Sequence, residues 1–425
     1  MGPDKGKVIV IIRALYGLKS SGAQWRSHMA NTLRNGGFKS CPADPDVWIR
    51  AAEKPDGTKI YEYVLCYVDD VIFQGLDPNG FMDYLRRSYK LKDGSVKEPD
   101  TYLGADVSHY ELSDGTRAWS LSSDTYVKRA VQEVERELEQ SGECLKSKVV
   151  SPFASGYRPE FDSSPELNER LSSYYASLMG VLRWCIELGR VDIIVEVGLL
   201  ARFQANPRVG HLEQMFHVFA YLKKYNRSRL VFDWTEPELD ESVFKQCDWK
   251  DYYPDAKEPI PPNAPEPRGK SVTTTAFVDA DHAGCQLTRR SHTGVLIFVN
   301  RAPILWFSKR QATVESSTFG SEVLAMRQCI DMIEGLRYKL RMMGVPIDGS
   351  TKVYCDNESV VKSTTRPEST LKKKHTAIAY HRAREAQAAG HVSIAWIDGR
   401  LNLSDAFTKV TVGERRRYLY SRILY

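Results

Sequence analysis

Pro254 to Lys270 reads PDAKEPIPPNAPEPRGK, six prolines in seventeen positions. Proline fixes φ and removes a backbone donor, so this stretch joins neither a helix nor a central strand. The acidic segment before it, Asp233–Asp255, has few apolar residues at any regular period. Residues 235–270 therefore read as a Pro-rich acidic linker, and the chain must build its hydrophobic cores on either side of it.

The composition allows this. In 425 residues, 42% are apolar and 27% charged, enough for ~2 to 4 globular domains and wrong for a disordered tail, a collagen-like fibre or a membrane protein. The charge is uneven. Residues 361–425 carry 13 Lys or Arg against 5 Asp or Glu, a net of +8 within a chain of net +5. A basic end on a near-neutral body suits a phosphate-rich partner, and equally a solvated basic face.

Eight cysteines are scattered without any C-x-x-C pair, which argues against a zinc knuckle and for reduced thiols. The apolar run Val8–Ile12 is too short for a signal peptide, and Val191–Phe203 is interrupted by Asp192, Glu196 and Arg202. The expectation is a soluble protein without a membrane partner, cytoplasmic and with the nucleus as a second compartment.

Tyr61–Phe73, YEYVLCYVDDVIF, is β-branched and aromatic on both sides of Asp69-Asp70 and predicts a hairpin with an acidic turn. Ala23–Asn35 reads as a helix stopped by Gly36-Gly37, and Thr125–Gln140, Ser172–Leu188 and His211–Lys224 as amphipathic helices. Beyond the linker, strands are expected at 272–278, 293–299, 304–307, 353–354 and 392–396. Helices are expected over about 322–343 and 376–389, with a short one at the terminus. The order βββαβαβα describes a mixed-sheet domain.

Two carboxylate sets carry chemistry. Asp69 and Asp70 repel one another, and a divalent cation such as magnesium relieves that repulsion; an ordinary acidic turn is the alternative. Asp279, Glu322, Asp356 and Asp405 fall at the ends of separate elements of one small domain. Converging, they would hold two metals ~3.5–4 Å apart for phosphodiester hydrolysis; as unrelated cap and turn residues they would hold nothing. Asp281, two residues beyond Asp279 on the same strand face, competes for the first position. Lys372–Lys374 and His375 suit a grip on nucleic acid, or proton transfer by His375, or a solvated helix start. Arg415–Arg417 suit a phosphate contact or a localisation patch, and Trp306 and Trp396 read as core aromatics.

Ala14-Leu-Tyr-Gly-Leu-Lys19, Tyr67-Val-Asp-Asp70, Ser316-Ser-Thr, Glu322, Tyr354-Cys-Asp-Asn357 and Asp405-Ala-Phe-Thr-Lys409 together resemble, in order, the Pol region of Ty1/copia-type retrotransposons. Smaller matches are Tyr102-Leu-Gly104, Arg190-Val-Asp-Ile193, His211 and Tyr221-Leu-Lys223; these are expected to pack the fold without a catalytic role. The resemblance implies an α+β chain: a partial reverse transcriptase palm at 1–115, a helical thumb or connection at 116–234, the linker, and an α/β ribonuclease H-like domain with a five-stranded mixed sheet at 271–425. It implies that Asp69 and Asp70 are the paired polymerase aspartates and that Asp279, Glu322, Asp356 and Asp405 are the ribonuclease H ligands. Each site would use two Mg²⁺, with Mn²⁺ as a substitute. Lys19 becomes a phosphate contact to the incoming nucleotide, although Ser20 stands where the pattern has Gln. The implied partners are an RNA–DNA hybrid, an RNA template with a DNA primer, and dNTPs, within a transposition and DNA-integration machinery housed in a virus-like particle.

The pattern also requires a third palm aspartate upstream of Ala14. Only thirteen residues precede Ala14, with Asp4 their one carboxylate, and Asp44, Asp46 and Asp56 come too late. The fingers and first polymerase ligand are thus expected to be missing and DNA synthesis by this chain alone to be slight. A catalytically inert nucleic-acid-binding relic is the alternative to a working nuclease, and an unrelated metal-dependent nuclease would leave Tyr67–Asp70 and Ala14–Lys19 unexplained.

Overall fold

The computed structural model describes residues 17–245, 247–371 and 374–425. Asp4, the Val8–Ile12 run, Ala14–Tyr16, Lys372 and Lys373 lie outside the described residues. The chain forms two compact units: residues through Pro99 with Ile260–Ser271 and Tyr338–Pro346, and Asp100–Pro259 with Val272–Arg337 and Ile347–Tyr425.

In the first unit, α1 (Ser21–Asn35) stops at Gly36 and Gly37, the latter at φ 83°, a conformation that costs glycine little. The strands β1 (Lys39–Cys41), β2 (Asp44–Glu53), β3 (Lys59–Tyr67) and β4 (Asp70–Gln74) follow in sequence order as one antiparallel sheet. Alternation along β3 buries Glu62, Val64 and Cys66, and Val64 and Cys66 pack with Leu33, Phe38, Trp48 and Phe81, the last from α2 (Pro78–Arg86). Buried Glu62 accepts two bonds from Arg50 on one oxygen, Oε2, at 2.8 and 2.6 Å, and the Leu76 N–H on the other at 3.0 Å, so its charge is compensated.

The second unit opens with β5 (Thr101–Tyr102), β6 (Ala105–Glu111) and β7 (Arg117–Ser122), extended by β8 (Arg229–Val231) after four helices: α3 (Asp124–Gln140), α4 (Glu169–Glu187), α5 (Ile194–Leu200) and α6 (Val209–Lys224). Val131, Tyr175, Leu182, Met215 and Phe219 form the core between the helices. Of these helices α3, α4 and α6 were legible in the sequence; α5 and the small sheet were not.

The unit closes with β9 (Thr274–Asp281), β10 (His292–Val299), β11 (Ala302–Arg310), α7 (Thr318–Met342), β12 (Thr351–Cys355), α8 (Glu358–Thr365), α9 (Ala377–Ala388), β13 (Val392–Trp396) and α10 (Gly413–Tyr420). The five-stranded mixed sheet expected from the sequence is present, in the order β11-β10-β9-β12-β13. β9, β10 and β11 form an antiparallel meander, and β12 runs parallel to both β9 and β13. Two helices, not one, cross from β12 to β13, as a parallel pair requires a long connection.

Among its described residues the Pro-rich region forms no regular helix or strand beyond the short 3₁₀ turn Glu241–Val243, but its side chains are engaged. Phe244 meets Tyr354 at 5.3 Å, Trp249 lies under Arg384 at 5.0 Å, and Glu258 grips buried Arg337 through two 2.8 Å bonds. Further on, within the first unit, the Gly269 N–H donates to the Lys59 carbonyl. Among the described residues, no helix is long and apolar enough to cross a membrane.

Candidate active site

The sheet itself places two of the four carboxylates side by side. Cys355 on β12 is registered against Val278 on parallel β9, so one residue further Asp356 stands next to Asp279 at the carboxyl ends of neighbouring strands. Glu322 comes from the first turns of α7 and accepts the Ala280 N–H with one oxygen. The other, Oε2, is buried without any hydrogen-bond partner. Glu322, Cys355 and Asp356 bring their ligand atoms within 4.8 Å of one another, the only such metal-capable group among the described residues.

Asp405 arrives on the 3₁₀ turn Leu403–Phe407, which crosses β10 at Gly294, the residue paired with Asp279. A Cβ on Gly294 would fall 2.7 Å from the Ser404 carbonyl oxygen, so only glycine lets the turn approach. Asn402 fixes the turn: Nδ2 donates to the Val278 carbonyl at 3.0 Å, and Oδ1 accepts the Ser404 N–H. Thr408 then donates to Asp279 Oδ2 at 2.6 Å. Asp405 itself is turned onto two cations, with Lys409 Nζ 2.7 Å from Oδ1 and Arg415 Nη2 2.5 Å from Oδ2.

Burial and mutual repulsion govern the cluster. Burial, with Asp356 and Asp405 nearby, pushes the Asp279 carboxyl up to about 7, though the Thr408 hydroxyl works the other way. Burial, then the Asp279 and Asp356 charges, hold Glu322 well above the usual range; burial, then Asp405, raise Asp356. Carboxylates this desolvated and this close ionise together only with added positive charge. Oxygen ligands of this kind suit a hard divalent cation, and the orphaned Glu322 oxygen is a free ligand position. The donor set therefore fits magnesium. Cys355 is a thiol pushed far up by its complete burial, a poor ligand for so hard an ion.

Asp281 lies on the same strand as Asp279, and burial raises its carboxyl too. Asp279 and Asp356 are the charges that raise Glu322, and Asp405 the one that raises Asp356, while Asp281 lines a cavity beside the cluster.

The other candidates are placed apart from such a convergence. Asp69 and Asp70 are exposed at the β3–β4 hairpin, where Tyr67 pairs with Asp70 and Val68-Asp69 form the two-residue turn. Val68 sits at φ 55°, unusual for a β-branched residue, and its carbonyl accepts the Trp25 indole N–H at 2.5 Å. Lys19 is exposed just ahead of α1. His375 holds Glu315 at 3.0 Å across a partly buried pair. Trp396, read as a core aromatic, is half exposed, its indole N–H donating to the Asp356 carbonyl at 3.0 Å.

The basic C-terminal region is largely consumed internally. Arg415 holds Asp405; Arg416 is buried against Glu196 at 3.4 Å and Tyr221 at 3.2 Å; Arg384 donates to three carbonyls under a roof of aromatic rings. The Arg190-Val-Asp-Ile element joins the same network, Arg190 forking onto Asp192 through two 2.8 Å bonds. The chain's positive end is thus in good part the counter-charge of its own buried carboxylates.

No protein-family model matches the chain. The Pol polyprotein of transposon TNT 1-94 from Nicotiana tabacum is 24% identical over 414 residues, 96% of this chain and 27% of that polyprotein. That of transposon RE1 from Arabidopsis thaliana is 22% identical over 400 residues, 93% of this chain and 24% of its own length. A putative transposon Ty5-1 protein of Saccharomyces cerevisiae is 26% identical over 300 residues, 70% of this chain and 80% of that protein. Its homologues over most of its length are Ty1/copia-type Pol polyproteins. The chain spans about a quarter of the length of the two plant relatives. Among solved structures, the RNase H1 of Halobacterium salinarum aligns with 32% of this chain and 94% of its own at 14% identity and a TM-score of 0.26.

Sequence reasoning missed Thr408, Asn402, Gly294 and the role of Lys409 and Arg415. Signals existed for two of them: a glycine inside an otherwise apolar strand, and an Asn two residues before Ser404 in an Asx-turn spacing.

Proposed function

We propose that the chain is a retrotransposon reverse transcriptase/ribonuclease H segment whose second unit cuts the RNA strand of RNA–DNA hybrids. Asp279, Glu322, Asp356 and Asp405 would hold two divalent cations, magnesium or its substitute manganese. The orphaned, buried Glu322 oxygen beside two raised carboxyls carries this reading. Bound there, the cations would supply an activated water and charge stabilisation for the leaving oxygen. The chain's own residues do the rest: Thr408 orients Asp279, Asn402 and Gly294 seat the turn that delivers Asp405, and the desolvated site strengthens every charge interaction inside it.

In this reading residues 271–425 form the nuclease domain, 1–115 part of a polymerase palm and 116–234 its thumb or connection. Asp69 and Asp70 would be the polymerase's metal ligands, with template, primer and dNTPs as its partners and Lys19 near the phosphates. No third ligand joins them among the described residues, so synthesis by this chain alone would be slight. His375, tethered by Glu315, would lie beside the hybrid backbone. A non-catalytic nucleic-acid-binding relic is the second reading, favoured by the cations that already neutralise Asp405.

The test is cleavage of a labelled RNA–DNA hybrid in magnesium by the chain and by its Asp356→Asn variant. Cleavage that the variant loses supports the nuclease. No cleavage by a folded wild-type chain leaves the relic.

A further inference from the structure

The cluster contains one ligand atom that magnesium has no use for. The Cys355 sulfur lies within 4.8 Å of carboxylate oxygens of both Glu322 and Asp356, which lie as close to one another. Cys355 ends β12, immediately before Asp356, and is completely buried. Hard cations pass over sulfur in favour of oxygen. Zinc and cadmium do the reverse: a thiolate is among their strongest ligands, and a zinc ion is often held by three side chains with a fourth position open.

A thiol beside carboxylates would carry nothing alone. The second observation is Glu322 Oε2, buried without a hydrogen-bond partner on a side chain only 7% exposed. An orphaned buried oxygen is costly. The groups beside it are a carboxylate and a thiol, so a cation placed among them satisfies all three. Zinc holds sulfur at ~2.3 Å and carboxylate oxygen at ~2.0 Å, which sets neighbouring ligand atoms ~3.5 Å apart. The three side chains therefore have about 1 Å to close around such an ion.

We propose that Glu322, Cys355 and Asp356 form a thiophilic metal site, selective for zinc-class cations, that competes with magnesium for the same carboxylates and shuts the cluster off. The binding step balances without any redox change. Zinc gives up a water for each ligand it gains, and the Cys355 thiol loses its proton to solvent as the zinc–sulfur bond forms. A four-coordinate ion seated on sulfur occupies the two carboxylates that a pair of octahedral cations would share. The metal site stands on the geometry of the three side chains. Its consequence, loss of RNA-strand cleavage, rests on the nuclease reading.

The experiment titrates the full chain with cadmium and reads the ultraviolet charge-transfer absorption of a cadmium–thiolate bond. The parent chain carries Cys144→Ser and Cys247→Ser, which removes the exposed thiols from the signal. A saturable band at one equivalent is expected, and zinc should erase it by displacement. Cys355→Ala in that background should abolish the band and weaken cadmium binding about 100-fold or more, while manganese affinity stays within about threefold. Cys355→Ser, closer in size, stands in where the alanine variant does not fold. Glu322→Gln should weaken the binding of both ions. In magnesium, zinc should halt hybrid cleavage by the parent at a concentration about 100-fold below that needed for Cys355→Ala.

A band that persists without Cys355, or cadmium binding that Glu322→Gln leaves as tight as the parent's, overturns the site. A folded parent chain without any band also sinks it; if that chain cleaves hybrid in magnesium, the nuclease reading survives. A band that Cys355→Ala loses, in a chain that never cleaves, supports the metal site and sinks the nuclease.

Discussion

The two acidic motifs of this chain look alike as sequence and differ in what surrounds them. Asp69 and Asp70 stand on a two-residue hairpin turn, exposed to water that screens their repulsion. Asp279, Glu322 and Asp356 come from a strand, a helix and the next strand's end, the first two buried and the third half-buried. Burial first, and then their mutual repulsion, raise all three carboxyls. Adjacency in sequence places charges together cheaply at a turn. Adjacency across a sheet register places them together at a cost that only a bound cation or a proton offsets.

The sharpest way to break that contrast is at the site itself. Asp356→Asn is expected to reduce RNA-strand cleavage at least about a thousandfold, as expected when a two-metal site loses a ligand. Asp70→Asn should leave the same cleavage rate unchanged. A fall in both would place the two motifs in one reaction.

Next in size is the buried charge network that anchors α10. Arg416 faces Asp192, Glu196 and Tyr221, all buried. Arg416→Met would strand those carboxylates and is expected to cost about 3–5 kcal/mol in denaturant unfolding of the second unit. A change under about 1 kcal/mol would show that buried charge in this unit is not compensated as the geometry indicates.

The third prediction concerns pH without metal. Folded Asp279 keeps its proton to about pH 7, whereas an unfolded aspartate loses it near 4. Between those values the folded chain binds more protons, so stability falls as pH rises. Glu196, pushed by burial to about 7 against the pull of Arg416, has the same sign. His292, which burial and Arg202 depress to about 3, has the opposite sign, its contribution growing up to about pH 6.5. The metal-free chain should therefore melt lower at pH 7.5 than at 5.5, and Asp279→Asn should shrink the difference by about 2 kcal/mol. An unchanged pH slope in Asp279→Asn would mean that the cluster is solvated like the exposed pair.

The smallest effect belongs to the hairpin. Val68 at φ 55° carries strain that glycine would not, so Val68→Gly should stabilise the first unit by about 1 kcal/mol in chemical denaturation. No gain would remove the strain from the description of that turn.

Much of this was legible in the sequence because period and punctuation agreed. The β3–β4 hairpin, α3, α4, α6 and the strand order of the second half follow from alternation, amphipathic spacing and glycine stops. The β6–β7 hairpin escaped because both strands are mixed in polarity, although Asp114-Gly115 is a turn signal. α8 escaped because Ser-Val-Val-Lys-Ser-Thr-Thr is rich in poor helix formers; Asn357, capping the Val360 N–H, starts it regardless. At the candidate site, the four carboxylates were singled out from element ends, and the sheet register sets Asp356 beside Asp279. The parts that hold them, Thr408 on Asp279 and Arg415 on Asp405, were not, because those contacts depend on a turn crossing β10 at Gly294. Trp396 misled for a related reason: β13 is an edge strand, and its last residue points to water.

The most direct measurement is a calorimetric titration of the full chain with manganese, alongside Glu322→Gln and the double variant Asp69→Asn/Asp70→Asn. Saturable binding that Glu322→Gln loses and the hairpin variant keeps is the expected result. Binding that survives Glu322→Gln and disappears with the hairpin aspartates would contradict it, and would move the metal from the buried cluster to the exposed turn.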